Sequence, residues 1–171
     1  MIIGLSIQNF TILHVAITLI AIASSFIVMF GMLASKKLPG WTGFCLLFTV
    51  LTSVTGFMFP VHGFTPALGV GVVSIILLAL ALYGLYAKHL AGGWRWIYVV
   101  TAVAAFWFNF FVLLVQSFEK VKLFNPAAPM VGPPFAEPVN THFVVAQGVA
   151  LLFFVVVGFL AARKFHPVPA Q

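Results

Sequence analysis

Five runs of apolar residues, each long enough to cross a lipid bilayer as a helix, decide what this chain can fold into. A helix needs about 20 apolar residues to span the hydrocarbon core. The runs cover residues 10–34, 41–59, 67–87, 94–118 and 139–162. Open strands leave backbone groups unpaired in lipid, so each run is predicted to be a helix. The predicted fold class is an all-α integral membrane protein, a compact single-domain bundle of five transmembrane helices.

The composition supports a membrane protein over a water-soluble one. Of the 171 residues, 63% are hydrophobic and only 6% are charged, whereas a typical soluble domain has about 25% charged residues. A net charge of +6 would suggest nucleic acid as the partner of a soluble protein. Here the cations lie almost entirely in short segments between or next to apolar runs, which is the pattern of membrane topology. We therefore expect the lipid bilayer, and not nucleic acid, as a partner.

The distribution of Lys and Arg predicts the orientation of the bundle. Six of the eight cations fall on one side of it: Lys36, Lys37, Lys88, Arg95, Arg163 and Lys164. The other side carries Lys120 and Lys122. Cytoplasmic segments are enriched in Lys and Arg, so the N-terminus is expected outside and the C-terminus in the cytoplasm. The expected location is the bacterial inner membrane.

Capping residues and prolines mark the predicted boundaries. Asn9 is the expected N-cap of the first helix. Pro66 is expected in the first turn of the third helix, where its missing N–H is harmless. The segment 119–138 contains five prolines, which exclude a helix there. We predict an outer loop for this segment, either folded over the helix ends as a lid or covered by a partner.

Three of the five histidines are expected near the outer side of the bundle, namely His14, His62 and His142. Met58 precedes His62 by one helical turn. Imidazole is a common metal and axial haem ligand, and thioether sulfur suits Cu(I). These residues therefore predict a site for haem b or a copper-type ion, with the histidines as cofactor ligands and Met58 as a further metal ligand. The alternative is that each histidine is an interfacial group with its polar tip in water or headgroups.

Four polar residues inside the apolar runs form a second candidate set: Asn109, Gln116, Gln147 and Thr18. Polar side chains are costly in lipid, so we expect them to face protein or a cavity. They would line a pocket, or they would hold helices together by hydrogen bonds. Both alternatives remain open from the sequence.

Three functions follow from these patterns. The first is haem or metal binding for electron transfer to or from a quinone or an extracytoplasmic partner. The second is a non-catalytic assembly or accessory subunit, in a homo-oligomer or a larger membrane complex. The third is a binding site or conduit for a small neutral or apolar solute. The sequence carries no Walker A, G-x-S-x-G, H-E-x-x-H or G-x-G-x-x-G motif, so no catalytic residue is assigned.

Overall fold

The computed structural model describes residues 1–60, 63, 65–124 and 141–167, and within these residues the chain is helical, without strands. The five helices are α1 Ile7–Leu33, α2 Pro39–Phe57, α3 Pro66–Leu82, α4 Trp94–Lys120 and α5 Thr141–Lys164. A π-helical turn, Tyr83–Ala87, continues α3. All five, α3 together with its π-helical turn, are long and apolar enough to cross a membrane. Within the described residues, the predicted all-helical class and the five helices long and apolar enough to span a membrane are confirmed.

Local capping explains where α1 and α3 begin. Ser6 is the N-cap of α1, and its hydroxyl oxygen accepts the N–H of Asn9 at 3.2 Å. The prediction of Asn9 as the cap was therefore wrong, because the serine oxygen reaches the free N–H of the third helical residue. Pro66 does open α3 as predicted, directly after Thr65, whose hydroxyl accepts the N–H of Leu68 at 3.3 Å.

Helices α4 and α5 run past their predicted ends. α4 continues to Lys120 rather than residue 118, and α5 ends at Lys164 rather than residue 162. A lysine side chain can extend its ammonium group toward water while its backbone stays in the helix, so a charged residue does not terminate a span. The Pro-rich remainder of the predicted outer loop, residues 125–138, lies outside the described residues.

The helices form a closed ring in chain order. Each helix packs against the next, α5 returns to α1, and α4 also touches α1 and α2. Contacts between the end of one helix and the start of the next, such as Phe111 with Gln147, and between early α1 and late α2, such as His14 with Thr55, show that helices consecutive in the chain run antiparallel. The starts of α1, α3 and α5 therefore share one end of the bundle with the ends of α2 and α4. We call this the His14 end, and the opposite end the basic end.

Small and aromatic side chains bring α4 toward the middle of the ring. Ala102 and Ala105 have no exposed surface, and Phe106 is 1% exposed. Alanines let neighbouring helices approach closely. By contrast, Leu152 is 65% exposed and Ile76 is 55% exposed on the outer surface of the ring. An apolar exterior of this kind suits lipid as the surrounding solvent.

At the basic end, Arg95 joins the start of α4 to the end of α5. Its Nη1 atom donates to the carbonyl oxygen of Ala162 at 2.9 Å and to that of Phe165 at 2.7 Å. The last carbonyls of a helix have no partner within it and carry partial negative charge. Phe165 is 1% exposed, and its ring centroid lies 6.0 Å from that of Tyr98. Arg95, which the sequence suggested only as a topology marker, therefore caps α5.

Candidate ligand site at His14

A hydrogen bond between His14 and Thr55 joins α1 to α2 at the His14 end. Nδ1 of His14 lies 2.7 Å from Oγ1 of Thr55. The same hydroxyl donates to the carbonyl oxygen of Leu51 at 2.7 Å and is 3.2 Å from that of Thr52. Thr55 thus serves as a bridge between the imidazole and the backbone of its own helix.

The single proton of the Thr55 hydroxyl decides the tautomer of His14. Two carbonyl oxygens, of Leu51 and Thr52, lie next to Oγ1, and an oxygen pair that close requires a proton between its members. Oγ1 therefore donates to a carbonyl and accepts from the histidine ring. Nδ1 of the neutral ring then carries the proton, and Nε2 has its lone pair available. This assignment follows from the hydrogen-bond network.

Neighbouring side chains hold the His14 ring in place. The ring of Phe59 meets it edge to face, with centroids 5.3 Å apart, and Phe10 packs on Phe59 at 5.1 Å. Gly56 lies beside it, where an added Cβ would be 3.7 Å from Cε1 of His14. The His14 ring therefore lies among aromatic, largely apolar groups, and its one polar contact, with Thr55, orients it.

The second nitrogen of the ring, Nε2 of His14, bonds to none of the described residues. Histidines that bind ligands or metals commonly fix one ring nitrogen to a protein acceptor and present the other. In the described part of the chain, His14 has this arrangement, and its side chain is half-buried. It can accept a hydrogen bond or coordinate a metal through Nε2.

The structure describes two of the three histidines predicted to form one site. His142 is exposed in the first turn of α5, at the same end as His14. His62 lies outside the described residues, and Met58 is an exposed residue directly after α2. Among the residues described, no three His, Cys, Asp or Glu side chains come together as a metal group. Convergence of the three histidines stays a prediction.

The predicted polar pocket residues lie in separate places. Thr18 donates to the carbonyl oxygen of His14 at 2.8 Å, within α1. The amide of Gln116 donates to Oε2 of Glu119 at 3.0 Å, within α4. Asn109 is 8% exposed on α4. The hydrogen bonds found among the described residues connect none of the four predicted residues directly to another.

Gln147, the fourth of these residues, marks a seam between α4 and α5. Its Nε2 atom donates to the carbonyl oxygen of Phe111 at 3.1 Å. Its Oε1 atom, and also Nε1 of Trp107, are buried without a hydrogen-bond partner in the described part of the molecule. Trp107 packs on Phe111, with ring centroids 5.6 Å apart. One buried donor and one buried acceptor therefore have no partner among the described residues, and no sequence pattern had pointed to Trp107.

An apolar groove of about 520 Å³ opens between α1, α4 and α5. Its wall is built from aromatic and aliphatic side chains: Phe26, Phe110, Leu114, Ala146, Val149, Ala150, Phe153 and Phe154. It offers no polar group that would recognise a ligand. The groove could therefore hold any apolar chain, including that of a lipid, without selecting among them. His14 is the better-defined candidate site.

Searches of protein families, of curated proteins and of solved structures find no match to this chain. The site must therefore be interpreted from its own geometry.

Proposed function

We propose that this chain is a multi-pass membrane protein that binds a small lipophilic ligand at the His14 end, through Nε2 of His14. The hydrogen bond from Nδ1 to Thr55, 2.7 Å long, carries the proposal. It orients the ring before a ligand arrives, which lowers the entropy lost on binding. An ionisable side chain within an apolar helix is costly and is commonly kept for function.

The ligand chemistry that best suits this site is an apolar ring bearing a hydroxyl group, as in a quinol. Such a hydroxyl donates to the Nε2 lone pair, and the rings of Phe59 and Phe10 favour an aromatic neighbour. A copper-type ion would need several ligands, and no group of three forms among the residues described. A hydroxyl-bearing ligand needs only the one nitrogen that His14 presents, and it is therefore the ligand we propose.

Haem is the second candidate, and His14 and His142 are the residues that would hold it. Supporting it, α1 and α5 pack against each other, and both histidines lie at the same end of the bundle. In this role the haem iron would supply one-electron chemistry, and the aromatic side chains around His14 would exclude water.

A binding titration tests the first candidate. The purified protein in neutral detergent is titrated with a ubiquinol analogue that carries a decyl tail, and tryptophan fluorescence is recorded. We expect saturable quenching that is absent in His14→Leu and about tenfold weaker in Thr55→Val. Thr52→Val is the matched control, since Thr52 donates only to the carbonyl of Phe48 in its own helix.

Two outcomes of this titration would overturn the quinol proposal. One is the absence of saturable quenching by the wild type. The other is equal affinity in the wild type and His14→Leu. A parallel titration with haemin distinguishes the second candidate, because a Soret shift lost in both His14→Leu and His142→Leu would identify haem as the ligand.

The orientation we propose places the His14 end outside the bacterial cytoplasmic membrane and the basic end in the cytoplasm. The six-to-two distribution of Lys and Arg supports it. Reporter fusions test it: alkaline phosphatase joined after Lys122 should be active, and the same enzyme joined after Lys37 should be inactive. The reverse pattern would require the opposite orientation.

A further inference from the structure

The basic end gathers positive charge that no side-chain carboxylate in the described part of the chain neutralises. Six of the chain's eight Lys and Arg residues lie there. The chain has only two acidic residues, and Glu119 lies near the other end of α4. Glu137 lies outside the described residues. Among the described residues, the cations of the basic end therefore have no acidic side chain to pair with.

Three of these six cations already have other contacts. Arg95 donates to the carbonyls at the end of α5. The ammonium of Lys88 lies 5.4 Å from the ring centroid of Tyr83, and the guanidinium of Arg163 lies 4.5 Å from that of Phe159. These cation–π contacts hold the two side chains in place, but an aromatic ring has no net charge, so the positive charge of the basic end is unchanged.

A hydrogen bond joins the two segments that carry the remaining cations. The N–H of His166 donates to Oγ of Ser35 at 2.8 Å, which ties the α1–α2 turn to the end of α5. Lys36 directly follows Ser35, and Lys164 precedes His166 by two positions. We call Lys36, Lys37 and Lys164 the basic cluster. An anion bound between the two segments would be attracted by the cations of both.

We propose that the basic cluster binds the headgroup phosphate of an anionic phospholipid. The cluster sits where the apolar helices end, which is the level of lipid headgroups in a bilayer. Exposed Trp41 and Trp96 at the same end are typical of that interface. Clusters of Lys and Arg next to transmembrane helices attract anionic lipids through their charge. The Ser35–His166 bond makes the cluster a site formed by two distant segments.

Lipid binding by matched charge variants tests the proposal. The protein in neutral detergent is titrated with a fluorescent short-chain phosphatidylglycerol, with phosphatidylcholine and inorganic phosphate as separate arms. For the wild type we expect saturable binding of phosphatidylglycerol only. In Lys36→Gln/Lys164→Gln the dissociation constant should rise about thirtyfold. The control Lys120→Gln/Lys122→Gln removes the same charge from the His14 end and should bind like the wild type.

Several results would overturn the proposal. Equal binding of phosphatidylcholine would show that headgroup charge is not recognised. Equal weakening in the two double variants would show an effect of net charge alone. Full displacement of the lipid by millimolar inorganic phosphate would identify a free-anion site instead. A Ser35→Ala variant adds a check on geometry, because loss of the bond to His166 should weaken lipid binding without changing the net charge.

Discussion

Nδ1 of His14 and the hydroxyl oxygen of Thr55 lie 2.7 Å apart across the α1–α2 interface. The hydroxyl in turn donates to the carbonyl oxygen of Leu51, so the imidazole is held indirectly by the α2 backbone. As a consequence, Nδ1 is engaged in a hydrogen bond to Thr55 and Nε2 is available to a ligand. The ligand proposal and the first two predictions depend on this relationship.

The first prediction concerns the tautomer of His14. With Thr55 accepting from the ring, neutral His14 should carry its proton on Nδ1. Nitrogen-15 NMR of histidine-labelled protein measures this directly, because protonated and unprotonated ring nitrogens have well-separated shifts. Thr55→Val should remove the preference. An Nε2-protonated His14 in the wild type would contradict the assigned direction of the hydrogen bond.

The second prediction concerns the space beside the ring, at Gly56. A methyl group there would lie 3.7 Å from Cε1 of His14, which is ordinary van der Waals contact. Gly56→Ala should therefore keep ligand affinity within about twofold, since the ring need not move. Gly56→Leu should displace the ring and weaken binding by at least about tenfold. If Gly56→Leu bound like Gly56→Ala, the position of the ring would not matter for the ligand.

The third prediction concerns the cap that Arg95 provides for α5. Arg95→Ala should lower the free energy of unfolding in detergent by about 2 kcal/mol, because two charge-assisted hydrogen bonds to buried carbonyls are lost. The matched control is Arg163→Ala. That guanidinium only covers the exposed ring of Phe159, so its loss should cost about 0.5 kcal/mol. Equal losses in the two variants would show that the carbonyl contacts add nothing to stability.

The fourth prediction concerns close packing at the α1–α2 turn. A Cβ added at Gly31 would lie 2.6 Å from Cδ1 of Leu38 and 3.3 Å from the Lys36 carbonyl oxygen. Gly31→Ala should therefore destabilise the protein by about 1–3 kcal/mol. Gly148→Ala is the control, since nothing lies within 4 Å of the added atom. It should stabilise α5 by up to about 1 kcal/mol through helix propensity. Thermal unfolding in detergent measures both, and a neutral Gly31→Ala would show that the turn adjusts at no cost.

Several features of the fold could be predicted from local sequence. The long apolar runs predicted the number of helices, because a helix needs about 20 consecutive apolar residues to cross the hydrocarbon core. Pro66 predicted the start of α3 because its fixed φ suits the first helical position. The cap of α1 was misplaced because both Ser6 and Asn9 are good capping residues, and only the backbone geometry distinguishes them.

The candidate site was predictable only in part. His14 stood out because ionisable residues are rare inside apolar helices. Thr55 did not stand out, because threonine is common in membrane helices and most of its hydroxyls bond to their own backbone, as that of Thr49 does with the Cys45 carbonyl at 2.8 Å. Trp107 likewise looked like ordinary aromatic bulk. No local pattern shows that its N–H lacks a partner.

By itself, the sequence determined how many helices this protein has, where its cations lie and how apolar its exterior is, because each of these depends on neighbours along the chain. Only the tertiary structure decided which groups meet. His14 and Thr55 are 41 positions apart, and Arg95 and Ala162 are 67 apart. Whether such pairs come within hydrogen-bond distance depends on the rotation and depth of whole helices. The rotation and depth of each helix are set by the packing of all five helices together, so they cannot be read from the sequence of any single helix.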